Sequence, residues 1–229
     1  MSWWSLLDRS RVAVAPSLLG GDLGRLADEV RDVEAAGADL LHLDVMDGRF
    51  VPNITFGPDI CAAISRAATR PRDCHLMIAE PERWLERFRE AGCDGLTVHL
   101  EAVGDPLPLL DAIRALGARA GLSLNPGTPL PPPGPLWEHL DLLLLMSVEP
   151  GFCGQSFQPV VLDKLAAARA YREREGLDFA LEADGGVGPD VAGDLRRAGA
   201  DILVAASAVM GQPDRRAAVA TLRAAAEAG

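Results

Sequence analysis

Short apolar runs and longer amphipathic stretches alternate along this chain. Runs 12–16, 40–45, 72–77, 95–99, 118–123, 142–146, 179–183 and 202–205 have the length and apolar content of buried strands. Among the intervening stretches, 22–36, 81–91, 158–175 and 213–228 carry helical patterns. A recurring seam joins the two kinds of segment: Glu34-Ala35-Ala36-Gly37-Ala38-Asp39, Glu90-Ala91-Gly92-Cys93-Asp94, Arg114-Ala115-Leu116-Gly117-Ala118, Glu175-Gly176-Leu177-Asp178 and Arg197-Ala198-Gly199-Ala200-Asp201. Glycine just past a helix end takes the left-handed cap that other residues resist, so each seam reads as helix, tight turn, strand.

Eight strands alternating with helices predict parallel pairing through crossover helices. Dividing 229 residues by eight leaves about 29 per unit, the size of a minimal (β/α)8 barrel. A doubly wound open sheet would carry a glycine-rich phosphate loop after its first strand, and Pro16-Ser17-Leu18-Leu19-Gly20-Gly21 is not one. The chain therefore reads as one α/β domain, a TIM barrel over 1–229 with residues 1–11 as an N-terminal extension. Segment 126–135, with three consecutive prolines, reads as a stiff surface loop after the fifth strand.

Composition narrows the partners. A balance of 22 basic against 33 acidic residues gives a net charge of -11, which repels a polyanion, so nucleic acid is not an expected partner. A small anion remains compatible, because a bound cation and converging backbone N–H groups act locally. The opening residues include Trp3, Trp4, Leu6 and Leu7 but no basic n-region, and no run approaches the ~20 apolar residues of a membrane span. A cytoplasmic protein without a membrane partner is expected, and assembly as a homo-oligomer is left open. Cys61, Cys74, Cys93 and Cys153 show no CxxC spacing and read as free thiols.

The polar residues gather at strand ends. His42 and Asp44, two apart on a strand, point to one side. Cys74, adjacent to His75, should point away from it. A lone strand histidine is more often a hydrogen-bonded core residue than a ligand. Here, however, His42, Asp44, His75 and Asp184 all fall at the C-terminal face, where such barrels carry their active sites. Two imidazoles and two carboxylates suit Zn2+, Mn2+, Fe2+ or Co2+ better than Mg2+. His99 is expected behind these ligands and His139 in solvent.

Gly151-Phe152-Cys153-Gly154, Gly185-Gly186 and Ala206-Ser207 follow adjacent strands, and 207–211 reads as the short extra helix of a phosphate site. Tight turns alone would explain any one of these loops. Lys164, the only lysine, lies in a long helix, which excludes a Schiff-base mechanism at the mouth. Met46, Met77 and Met146 end strands two, three and six and can form an apolar lid.

Longer strings carry a family resemblance: Ala15-Pro16-Ser17-Leu18-Leu19, His42-Leu43-Asp44-Val45-Met46-Asp47-Gly48, Phe50-Val51-Pro52-Asn53 with Phe56-Gly57-Pro58, His75-Leu76-Met77, Asn125-Pro126 with Thr128-Pro129, Ser147-Val148-Glu149-Pro150-Gly151-Phe152 with Gly154-Gln155, and Asp184-Gly185-Gly186-Val187. In order and spacing the chain resembles the ribulose-phosphate 3-epimerases from about residue 12 to 211. The resemblance implies a TIM barrel of the ribulose-phosphate-binding type. It also implies one divalent metal, commonly zinc, on His42, Asp44, His75 and Asp184, with Asp44 and Asp184 as acid and base. The implied reaction interconverts D-ribulose 5-phosphate and D-xylulose 5-phosphate at C3 through an enediolate, a step of the pentose phosphate pathway. Ser17, His75, Gly151, Phe152, Cys153, Gly154, Asp184, Gly185, Gly186, Ala206 and Ser207 match the family's substrate contacts. Ala206 stands where the family usually has glycine, and Cys153 where a small residue is usual. Asp73-Cys74-His75-Leu76-Met77 and Arg172-Glu173-Arg174-Glu175-Gly176-Leu177 also resemble the allulose-6-phosphate 3-epimerases, which makes a six-carbon substrate the alternative. A non-catalytic phosphosugar-binding barrel is the reading from outside the enzymes. A synthase of aromatic or histidine biosynthesis is disfavoured by the four metal-type ligands and the lack of a strand-end lysine.

Overall fold

The computed structural model of the chain describes residues 7, 8 and 10–229, so Trp3 and Trp4 of the expected extension lie outside the described residues. Eight strands form: β1 Ala13–Pro16, β2 Leu41–Met46, β3 Arg72–Met77, β4 Gly95–His99, β5 Arg119–Leu124, β6 Leu142–Met146, β7 Ala180–Asp184 and β8 Ile202–Ala205. They pair in parallel in the order β1-β8-β7-β6-β5-β4-β3-β2. The ring closes between β1 and β2 through the Ser17–His42 bridge and the Asp39 N–H donated to the Val14 carbonyl at 3.0 Å. The expected barrel is thus the one that forms. Four strands match expectation to the residue, and the ends of β1, β2, β5 and β7 move by one.

The crossovers contain α1 Leu26–Ala36, α2 Pro58–Ala67, α3 Leu85–Glu90, α4 Leu107–Ala115, α5 Val160–Glu175 and α6 Pro189–Ala198, and α7 Arg215–Glu227 follows β8. The four helices expected from 22, 81, 158 and 213 all start later, α5 and α7 by two residues and α1 and α3 by four. Asp22 accepts from Gly24 N and makes Leu23–Arg25 a 3-10 turn, and Pro81–Arg83 is another. Between β5 and β6 the proline-rich loop leads only to a 3-10 helix, Pro135–His139. The expected helix at 207–211 is a correction: Val209 and Met210 N–H both return to the Ala206 carbonyl, a compact turn that does not propagate.

Three seam aspartates share one role with Asp141, which lies outside the seams. Asp39, Asp94, Asp141 and Asp201 stand just before the even-numbered strands. Each carboxylate accepts the N–H of a residue on the preceding odd strand: Val14, Arg72, Ala120 and Leu181, each at 2.9 Å. Each Asp N–H in turn donates to the carbonyl of that same residue. The barrel is therefore stitched at its N-terminal rim as four strand pairs, at the end opposite the mouth.

Outward strand residues such as Val14, Leu43, Cys74, Leu76 and Leu145 are buried against the helices. Inside, small and branched residues including Ala13, Ala15, Leu142, Ala180 and Ile202 fill the lower barrel. The layer above is polar: His42, Asp73, Thr97 and Glu182 are fully buried. Gly121 makes room for it, since a Cβ there would fall within 3 Å of the Thr97 side chain. Among the described residues no helix is long and apolar enough to cross a membrane.

Candidate metal centre and phosphate cradle

Strand alternation brings the four expected ligands to one point above this layer. Asp44 Oδ1 lies 3.5 Å from His42 Nε2 and 3.7 Å from His75 Nδ1. Asp184 Oδ2 approaches the same nitrogens at 3.8 and 3.7 Å. These separations are too long for good hydrogen bonds. They lie near the roughly 3.4 Å that separates two ligands sharing a tetrahedral ion at about 2.1 Å. His42 Nε2 and His75 Nδ1 are buried with no hydrogen-bond partner, a costly arrangement that a shared cation would relieve. The donor set therefore fits a borderline divalent metal.

Hydrogen bonds behind the ligands fix which nitrogen faces the centre. His42 Nδ1 is 2.9 Å from Asp73 Oδ2, and Thr97 Oγ1 donates to Asp73 Oδ1 at 3.2 Å. Behind His75, its Nε2 lies 2.8 Å from His99 Nε2, and His99 Nδ1 lies 3.1 Å from Glu101 Oε2. Burial opposes ionisation of Glu101, but bonds from His99, Thr128 and the Asn125 N–H outweigh it and hold the carboxyl at about 2. An ionised Glu101 only accepts, so His99 Nδ1 carries the proton and His99 Nε2 a lone pair. His75 must then donate from Nε2, which leaves its Nδ1 lone pair aimed at the carboxylates. Burial lowers both imidazoles, His99 to about 4, keeping them neutral.

The two carboxyls are electrostatically unequal without a cation. Burial and then the charge of Asp44 push Asp184 up to about 7. Asp44 is opposed by burial too, but His42 and His75 outweigh it and hold it well below the usual range. Ser17 Oγ donates to its second oxygen, Oδ2, at 2.5 Å. Burial also works against a charged His42, yet Asp44 and Asp73 raise it well above the ordinary imidazole range. Binding a cation would displace a proton there, so affinity should fall in acid.

A cavity of about 370 Å³ opens from this centre. Its lining includes Ser17, the three methionines 46, 77 and 146, the Gly151-Phe152-Cys153-Gly154 loop, Gly185, Gly186, Ala206 and Ser207. Ser147 holds the β7 end in place, its Oγ donating to the carbonyls of Asp184 and Gly185 at 2.9 and 2.5 Å. Gly185 and Gly186 have φ of +114° and +62°, and a Cβ on either would lie within 3 Å of Val148 or Phe157. The turn itself thus demands glycine, whatever it binds. Asn53 Nδ2 donates to the Gly151 carbonyl at 2.9 Å, tying two mouth loops together.

Residues outside the centre also find their places. His139 is half-buried and pairs with Asp111 at 2.6 Å, away from the mouth. Lys164 on α5 donates to the carbonyls of Asn125, Pro126 and Thr128 at 2.8, 2.7 and 2.5 Å, bracing the β5 loop. The four cysteines are free. Sequence reasoning gave no role to Asp73, Glu101, Ser147 or Glu182. Two of these had a usable signal: Asp73 and Glu182 precede His75 and Asp184 by two, so alternation puts them on the same inward face. Burial, and then Asp73, raise the Glu182 carboxyl well above its usual range, so it sits beneath His42 as a neutral acid.

Comparisons with known proteins agree with this layout. A ribulose-phosphate 3-epimerase from Mycobacterium tuberculosis is 48% identical over 210 residues, covering 92% of this chain and 91% of that protein. Those of Synechocystis and Bacillus subtilis are 47% and 45% identical, covering 93% of this chain and 93% and 98% of their own lengths. Two solved structures share the fold at low identity. Thiamine phosphate pyrophosphorylase from Pyrococcus furiosus has a TM-score of 0.57 at 15% identity, covering 96% of this chain and 97% of its own. Tryptophan synthase subunit alpha from Legionella pneumophila has 0.60 at 14%, covering 95% and 94%. A sequence model of the Ribulose-phosphate 3 epimerase family matches residues 13–210, and with relatives near half identity along nearly their whole length, this chain belongs to that family.

Proposed function

We propose that this enzyme interconverts D-ribulose 5-phosphate and D-xylulose 5-phosphate by moving the C3 proton between Asp44 and Asp184, with one divalent cation, zinc by preference, on His42, Asp44, His75 and Asp184. The observation that carries the reading is the pair of buried, unpartnered imidazole nitrogens facing two carboxylates at one end of a cavity. A dication held there supplies positive charge that stabilises the enediolate. The side chains do the rest.

One carboxylate takes the C3 proton from one face while the other returns a proton to the opposite face. Their surroundings differ, Asp44 being hydrogen-bonded to Ser17 while Asp184 is not, so the two carboxylates are not equivalent partners for the proton. Ser17, hydrogen-bonded to Asp44, fixes the carboxylate's orientation and leaves Oδ1 toward the centre. Met46, Met77 and Met146 exclude water above the reacting carbons. Backbone N–H groups of the Gly185-Gly186 turn, the 151–154 loop and Ala206-Ser207 receive the phosphate at the other end. The substrate is a small phosphosugar, within the volume range of ordinary ligand pockets.

Turnover of ribulose 5-phosphate and of allulose 6-phosphate, measured on zinc-loaded and on chelator-stripped protein, tests this reading. Metal-dependent turnover favouring the five-carbon substrate is expected. Preference for allulose 6-phosphate would overturn the substrate assignment, and binding without turnover of either would favour a non-catalytic phosphosugar barrel.

A further inference from the structure

The far side of β3 carries a second cluster that the epimerase chemistry does not use. Cys74 points away from the barrel interior, Cys61 comes from α2, and Cys93 lies just before β4. All three are fully buried free thiols, and their sulfurs lie within 4.8 Å of one another. They sit in the apolar layer that also holds Ile64, Leu76 and Phe88. Bonds of about 2.3 Å meeting at the roughly 100° angles of a pyramidal three-coordinate centre place the three sulfurs about 3.5 Å apart, so a contraction of no more than about 1.3 Å would close the set.

We propose that Cys61, Cys74 and Cys93 form a thiol-only site for one trivalent thiophilic metalloid, arsenic(III) being the probe. Soft sulfur donors select a soft centre. Charge then decides among soft centres. Three thiolates around a dication leave one net negative charge, and around a monovalent cation two, at a high cost in an apolar layer. No fourth His, Cys, Asp or Glu joins the group among the described residues, so a closed zinc site is not completed. Arsenic(III) gives a neutral product: As(OH)3 condenses with three S–H groups, forming three As–S bonds, breaking three As–O bonds and releasing three waters without redox change. Entry requires transient opening of α2 against the barrel, so binding should be slow.

The test uses the full-length reduced protein with inorganic arsenite, read by native mass spectrometry and by thermal midpoint. One arsenic per chain and a raised midpoint are expected, because a ligand of the folded state stabilises it. Cys153→Ser should bind as the wild type does. Cys61→Ala and Cys93→Ser, two variants with different packing costs, should each lose at least about 100-fold in affinity, since only two sulfurs remain. The proposal is overturned if the folded protein takes up no arsenic, or if either cluster variant, once folded, binds it as tightly as the wild type. It is equally overturned if binding is lost in Cys153→Ser, or if arsenite lowers the midpoint, which would place the affinity in the unfolded chain.

Discussion

His75 Nε2 sits 2.8 Å from His99 Nε2, and Glu101 on the far side of His99 dictates that the shared proton belongs to His75. The His75 nitrogen that faces Asp44 and Asp184 is therefore chosen by a carboxylate two side chains away. Partners of this kind raise ligand basicity and lock ring orientation. His99→Ala should weaken zinc binding by about 10- to 100-fold while leaving kcat at saturating metal much less affected. Competition with a chromophoric chelator reads the affinity; an unchanged value would remove His99 from the metal's support.

Glu101 also links the centre to acid stability. Its folded carboxyl titrates at about 2 against an ordinary 4.5, so its stabilisation is complete above the unfolded value and disappears as pH falls through the folded one. Thermal midpoints of wild type and Glu101→Gln should differ by several degrees at neutral pH and converge between about pH 4.5 and about pH 2. A gap that stays constant down this range would contradict the depressed titration.

The rim aspartates predict a loss of stability without a loss of chemistry. Asp141 is buried and accepts the Ala120 N–H and an Arg114 N–H at 2.9 and 3.3 Å, at the end of the barrel away from the mouth. Asp141→Ala strands a buried backbone donor, which should cost about 1–3 kcal/mol in urea unfolding. Specific activity of the folded fraction should match wild type.

Ala206 places a methyl in the lining, at a position where the family resemblance implies glycine. Ala206→Gly should lower KM for the phosphosugar by about fivefold, equivalent to about 1 kcal/mol, with kcat nearly unchanged. A drop in kcat instead would mean that the methyl positions the turn and does not obstruct the phosphate.

Much of this architecture was legible in the chain because barrel strands are short, buried and regularly spaced. The glycines at 37, 92, 117, 176 and 199 marked the turns, and period-two alternation put His42 and Asp44 on one face. The short helix at 207–211 failed because a local pattern cannot show that the Ala206 carbonyl captures two N–H groups at once. The Glu101–His99–His75 relay was legible only in part: His99 was expected behind the ligands, but Glu101 follows β4 while His75 lies on β3, and only the pairing of those two strands brings them into line. Asp73 and Glu182 were readable from alternation, yet buried carboxyls look like surface charges until their neighbours are known.

The two-acid account is tested most directly by running the zinc-loaded enzyme with ribulose 5-phosphate in D2O and following deuterium at C3, for wild type, Asp44→Asn and Asp184→Asn, with bound zinc measured in each. Wild type should form xylulose 5-phosphate with solvent deuterium entering at C3. Each variant that retains zinc should lose epimerisation by at least about 100-fold. Product formed without deuterium, or either variant epimerising at the wild-type rate, would contradict proton transfer by these two carboxylates.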